Sequence, residues 1–301
     1  HREQPPNCED TSRRARDRFF PSASRRVSRG ESIRSQTCIA YMPMATDPEV
    51  TADEAILAAT GFAATLDCAL HVTTFAVDIP EVSSPLGSVI VDFRGLVRAA
   101  EEKSETECLR LQALVKGAVG SRLNVDYTSR KVPMGSATDR AAVEARYFDL
   151  VLVPWSEESF GAQNMAQAIV FGSGRPTILV PPAARAGTLD HIAVAWDASR
   201  VAARALGDAL PLLAKGGRVS VLTVQGDKAL TGSNLANALA SSLEKRGVSA
   251  TPIEVTLGQR TIAKALQDTA LSEDAQLLAM GGFGHSRIRD FILGGATNGV
   301  L

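Results

Sequence analysis

From residue 37 onward, short apolar runs alternate with stretches whose apolar residues recur every three or four positions. Short runs bounded by turn residues fit buried strands, and the longer period fits amphipathic helices. The alternation therefore predicts βα units and a mostly parallel sheet. In the first half it predicts strands at Cys38–Met44, Ala69–Val77, Leu123–Val132, Asp149–Val153 and Thr177–Val180. Helices are predicted at Thr51–Leu66, Phe93–Val119, Ala137–Arg146 and Asn164–Phe171. Thr51, with Glu54 three residues on, has capping-box spacing.

The pattern then restarts. His191–Trp196, Val219–Val224, Ala250–Leu257 and Gln276–Met280 read as strands, with Pro252 placing the third of these at an edge. Ser199–Ala214, Asn234–Arg246, Thr261–Leu271 and most of Arg287–Leu301 read as helices. The run "YFDLVLVP", ending at Pro154, aligns with "DAQLLAMG", ending at Gly281. This is one duplication, not an array of short repeats. The expected organisation is a tail over 1–36, a domain over 37–182, a linker over 183–189 and a second domain over 190–301. In the first half a strand begins about 16 residues after Gly161, whereas Gly294, in the matching place, is followed by only seven residues. The C-terminal domain is accordingly expected to lack its last strand.

Composition narrows the class. The chain has 301 residues, 45% hydrophobic and 22% charged, enough for two modest globular domains. No apolar run is long enough to cross a bilayer, so no membrane partner is expected. The net charge of −1 gives no general attraction to nucleic acid. That value conceals an asymmetry: residues 1–36 hold nine Arg against five acidic residues. The stretch Arg13–Ser35 has no packing pattern and reads as a disordered tail. Beginning on His1 rather than Met, the chain reads as a fragment or as one with an uncertain start. Cys8, Cys38, Cys68 and Cys108 form no CxxC pair, and reduced thiols in a cytoplasmic protein are the expectation.

The richest stretch is "MGGFGHSRIRDFILGGAT", which directly follows a predicted strand. Gly281, Gly282 and Gly284 permit unusual backbone conformations and close approach to a ligand. Such a turn can aim several amides at phosphate oxygens. Gly294 and Gly295, with Thr297 nearby, would open a helix whose N-terminus favours the same anion. His285 sits in the loop, where contact with a phosphate, an exposed position and a helix-capping position are all open. There is no Walker A lysine, no dinucleotide fingerprint and no Ser/His/Asp set. His71 and His191 read as structural.

The spacing of Gly281, Gly284 and Gly294, with the strands "HIAVAWDAS" and "RVSVLTV", resembles the universal stress protein family. The likeness is strong over 190–301 and weak before. It implies two tandem Rossmann-like domains of the adenine nucleotide alpha hydrolase type, each an open, mostly parallel sheet flanked by helices. It also implies a cytoplasmic stress-response protein that binds ATP, with Mg, and acts through conformation or partners. By that resemblance Asp197 contacts the nucleoside and the backbone of Val224 meets the adenine. The loop glycines and a following hydroxyl hold the phosphates. Gly295 stands at the hydroxyl position, and Thr297 lies two residues further on. In the first half Pro154 and Glu157 replace Gly281 and Gly284, so that half reads as a structural partner. The halves are expected to form an intrachain pseudo-dimer, or the chain to self-associate. The alternatives are a module of the same fold that has lost its ligand, and an adenylating enzyme. No base for attacking water stands near the loop, so at most slow hydrolysis is expected.

Overall fold

A computed structural model describes residues 38–66, 68–80, 93–119, 123–185, 187–224 and 234–282. The first domain runs β1 (Ile39–Ala45), α1 (Asp53–Thr65), β2 (Ala69–Asp78), α2 (Phe93–Val119), β3 (Val125–Pro133), α3 (Ala137–Ala145), β4 (Leu150–Pro154), α4 (Phe160–Gly172) and β5 (Thr177–Val180). The second runs β6 (His191–Ala195), α5 (Arg200–Ala209), β7 (Arg218–Val224), α6 (Leu235–Glu244), β8 (Ser249–Val255), α7 (Ile262–Ser272) and β9 (Leu277–Ala279). Both sheets are wholly parallel in their pairings. Their orders are β3-β2-β1-β4-β5 and β8-β7-β6-β9, the same winding repeated. Among the described residues β9 is the outer strand of the second sheet, and β8, with Pro252, is the other edge.

Each sheet is covered on both faces, which is why its central strands read as continuous apolar runs. In the first domain Met42, Met44, Leu70 and Leu152 pack beneath Ile56, Phe62, Leu111 and Val115 of α1 and α2. On the opposite face Tyr41, Val151 and Val153 pack against Ala141, Met165 and Ile169 of α3 and α4. In the second domain Ile192, Val194 and Val221 meet Leu206, Leu239 and Leu243. Ala193, Leu222 and Val224 meet Ala265 and Leu266 of α7. Leu277 of β9 packs on the first domain's core as well as its own. The Gly187 amide donates to Thr65 Oγ1 at 3.1 Å.

Three expectations need correction. Thr51 does not cap α1: the cap position is Ala52, with no side-chain bond, and Thr51 Oγ1 instead donates to the Ala45 carbonyl at 3.2 Å. Its hydroxyl closes the loop after β1 and cannot also reach the helix amides. The helix predicted over Ser199–Ala214 ends as α5 at Ala209 and continues as one 3₁₀ turn, Leu210–Leu212. Pro211 removes an amide there, so the α-helical ladder cannot continue. Cys38 and Cys68 are not free thiols but a disulfide, with Cα atoms 4.8 Å apart. Each lies one residue before the paired residues Ile39 and Ala69, which makes them lateral neighbours on adjacent strands. Cys108 is a buried free thiol, and burial pushes its pKa up, away from reactivity. Cys8 and the predicted helix over 287–301 lie outside the described residues.

Candidate functional site

In an open α/β sheet the strand order reverses at one seam, and the carboxyl ends flanking it leave a crevice for ligands. In the second domain that seam lies between β6 and β9. Trp196 prolongs the pairing with β7, its amide donating to Leu222 O at 2.8 Å. Asp197 follows and accepts the Ser199 amide on Oδ1 at 2.9 Å. This closes a turn in which Ala198 takes a left-handed φ of 59°. Ser199 then caps α5 by accepting the Ala202 amide at 3.2 Å. Asp197 is thereby held half-buried where β6 passes into α5.

Val224 is the last residue of β7, and its side chain is 4% exposed among Val255, Ala265 and Leu266. The side chain belongs to the core, so any contact there with a ligand falls to the backbone. Gly281 follows the end of β9. A Cβ on it would lie 2.7 Å from Val201 Cγ2 and 2.8 Å from the Val201 backbone. A Cβ on Gly282 would lie 3.2 Å from Val170 Cγ1 in α4. Neither glycine takes a positive φ. Their lack of side chains therefore serves close packing against α5 and α4, and not the unusual backbone conformation expected from sequence. Asp197, Val224 and Gly281 end three neighbouring strands at one end of the sheet. Gly284, His285, Gly294, Gly295 and Thr297 lie outside the described residues.

Residues 188–301 match the universal stress protein family. The second domain is thus similar to the universal stress protein family. A universal stress protein from Archaeoglobus fulgidus is 15% identical; the match covers 85% of this chain and 89% of that one, with a TM-score of 0.56. At that identity the likeness establishes the fold alone. A universal-stress-family protein from Burkholderia pseudomallei is 23% identical over 38% of this chain and 94% of its own, with a TM-score of 0.30. A universal stress protein in complex with cAMP is 12% identical over 49% of this chain and 100% of its own, with a TM-score of 0.29. Neither of these two low-scoring superpositions bears on ligand or mechanism here. Among curated proteins none is similar enough to match.

The first domain differs from the second at the matching seam. The rungs Ala40–Leu150 and Ile192–Leu277 correspond, which sets Pro43 against Ala195 and Ala45 against Asp197. The Ile39 carbonyl accepts from Asp149, so by strand alternation Tyr41 and Pro43 also face β4. Val151 and Trp155 donate to the β5 side, so Leu152 and Pro154 face β1. The next two rungs of the β1–β4 ladder would use the amides of Pro43 and Pro154, and proline has none. Pairing stops at Tyr41–Val151, whereas the second domain carries it one rung further, to Val194–Ala279.

A small, partly open crevice lies where the strands part, lined by Pro43, Ala45, Val153, Pro154 and Met165 among others. At its mouth Glu49 Oε2 accepts from Ser159 Oγ at 2.6 Å and from the Gly161 amide at 3.3 Å. Ser159 itself caps α4 through the Ala162 amide. The helix N-terminus that would favour an anion is thus already facing a carboxylate of the same chain. Sequence reasoning found Pro154 but missed Pro43 and Glu49. Pro43 in mid-strand was a legible signal; Glu49 belongs to a loop whose direction only the fold sets.

The remaining polar groups beneath the strands are structural. Arg218 donates to His191 Nδ1 at 3.1 Å, which leaves Nε2 to carry the proton and donate to Ser220 Oγ at 2.8 Å. Burial, with the Arg218 charge alongside, holds the His191 pKa below the usual histidine value. His71 lies between Asp126 and Thr128 and stacks on Phe148. Among the described residues no group of three or more His, Cys, Asp or Glu is placed to hold a metal ion. Among the described residues no helix is long and apolar enough to cross a membrane.

Proposed function

We propose that the second domain binds an adenine nucleotide, ATP with its Mg, in the crevice between β6 and β9. The protein would then act through a change of conformation or partner rather than through turnover. The observation that carries the reading is the convergence of Asp197 and the Gly281 backbone at the start of α5. Ser199 occupies one carboxylate oxygen of Asp197, and the group remains partly open to solvent, able to accept from the hydroxyls of a ribose. The described part of the loop starts where a helix N-terminus and a reversed strand order coincide, the usual setting for a phosphate. Val224 offers its backbone to the base, and Gly284, His285, Gly294, Gly295 and Thr297 would complete the site.

The first domain, with prolines at its seam and Glu49 over its helix, serves as the structural half of an intrachain pair. The packing of Leu277 on its core supports that role. A cytoplasmic location belongs to the same proposal and rests on the family likeness. A reducing cytoplasm would open the Cys38–Cys68 bridge. The domain boundaries at 182 and 190 are part of the reading too.

The second reading, a module of this fold that has lost its ligand, is favoured by the hydroxyl missing at Gly295. Nucleotide analysis of the freshly purified, denatured full chain separates the two. Stoichiometric adenine nucleotide that disappears in Asp197→Ala supports binding. Absence of nucleotide, with no uptake from millimolar ATP, supports the second reading.

A further inference from the structure

The start of the glycine loop is held from two sides. Gly281 lies against Val201 of its own domain, and Gly282 lies against Val170 of the other. Val170 sits on α4, and that helix is anchored at both ends. Ser159 and Glu49 satisfy its first turn. At its far end the Arg146 guanidinium donates to the Gly172 carbonyl at 3.0 Å. Val170 also packs on the first domain's core beside the buried Ile169 and Ala166. A Cβ added to Gly282 would meet Val170 Cγ1 at 3.2 Å, so Val170 fills the space beside the glycine and leaves no room there for a side chain unless α4 shifts. β9 is additionally tied to the first domain at its opening residue, Leu277. The strand that carries the loop therefore touches the first domain both where it begins and just beyond where it ends.

We propose that Val170 is a positioning residue for the start of the second domain's ligand loop: the first domain, whose own crevice carries Glu49 at its mouth, forms the wall beside Gly282. The inference rests on the proposed nucleotide site for its functional consequence and on the Val170–Gly282 contact for its geometry. A wall on one domain and a loop on the other couple the two. A ligand that binds better when the loop's start is seated against α4 stabilises that seating, and by linkage a change that weakens the seating lowers the ligand's affinity. A domain without a binding site thus gains a means to respond to its neighbour's ligand.

The test uses the full chain. Val170→Ala removes the wall, and amide exchange at Gly281 and Gly282 is expected to quicken several-fold while the thermal midpoint stays close to that of the parent. Affinity for a fluorescent ATP analogue is expected to fall about three- to tenfold, as the fraction of correctly placed loop declines. Gly282→Ala places a methyl against Val170 and should lower both affinity and thermal midpoint. Adding Val170→Ala to it should restore a good part of each, which a merely destabilising effect would not do. Unchanged exchange in Val170→Ala, or losses that simply add in the double variant, would overturn the inference. If the parent binds no nucleotide, the functional reading fails on its own. The exchange rates and the rescue of the midpoint still decide whether α4 positions the loop.

Discussion

Gly281 and Val201 stand so close that a Cβ on the glycine would lie 2.7 Å from Val201 Cγ2. Truncating Val201 cannot fully relieve this, because the Val201 backbone carbon lies at 2.8 Å. Gly281→Ala should therefore destabilise the second domain by about 1–3 kcal/mol, the usual cost of overpacking. Urea unfolding followed by Trp196 fluorescence measures it, and adding Val201→Ala should recover only part of the loss. A Gly281→Ala protein as stable as the parent would show that β9 and α5 are not packed in this way. Gly281 is for the same reason a poor probe of ligand binding. Gly284→Val should abolish binding of an ATP analogue while the unfolding midpoint holds, because a side chain there would block close approach of the backbone to the ligand.

Glu49 completes the N-terminal turn of α4, and Glu49→Ala should lower the first domain's stability by about 1 kcal/mol, as loss of a helix cap does. Because the contact is exposed, the difference between parent and variant should shrink as salt is raised. Chemical denaturation at low and high salt is the check. An equal loss at both would mean that the effect comes from packing rather than from the carboxylate's charge.

The Cys38–Cys68 bridge closes a loop with a sequence separation of 30. Constraint of that loop in the unfolded chain should contribute about 2–4 kcal/mol. Adding a phosphine reductant should lower the thermal midpoint of the parent and leave Cys38→Ser unchanged. Thiol counting on denatured protein before reduction gives an independent answer. If Cys38 and Cys68 both label without reductant, the bridge is absent in solution.

His191 is neutral in the fold and titrates below its usual value because burial disfavours the imidazolium and Arg218 repels it. A histidine whose pKa is depressed on folding stabilises the protein above its unfolded pKa, about 6.5. That contribution is lost as pH falls through 6.5 toward the lowered folded value, since the unfolded chain takes up the proton first. Stability of the parent should drop more steeply than that of His191→Gln between about pH 7 and pH 5. Parallel pH profiles for the two proteins would contradict the assignment.

Much of the fold was legible because its causes are local. Helix α2 and strand β5 fall at the bounds that hydrophobic period and turn residues alone predict. The duplication showed in the alignment of Pro154 with Gly281, and the repeated strand order bears it out. The family likeness rested on the spacing of a few glycines over 190–301, and residues 188–301 match that family. Thr51 illustrates the limit: capping-box spacing is local, but its hydroxyl finds the Ala45 carbonyl first.

What the sequence could not determine depends on which strands become neighbours. Cys38 and Cys68 are distant in the chain and adjacent only because β1 pairs with β2 in one register. Pro43 and Pro154 each remove an amide, but only the face each turns to its neighbour makes both losses fall on one seam. The carboxylate of Glu49 reaches α4 across more than a hundred residues of sequence. Gly281 and Gly282 looked like ligand-cradling residues, and the sequence determined only that they lack side chains. Packing decided that the space beside them is filled by Val201 and Val170. Period, caps and turns are properties of a segment, whereas close approach is a property of two segments brought together, and only the tertiary structure specifies it.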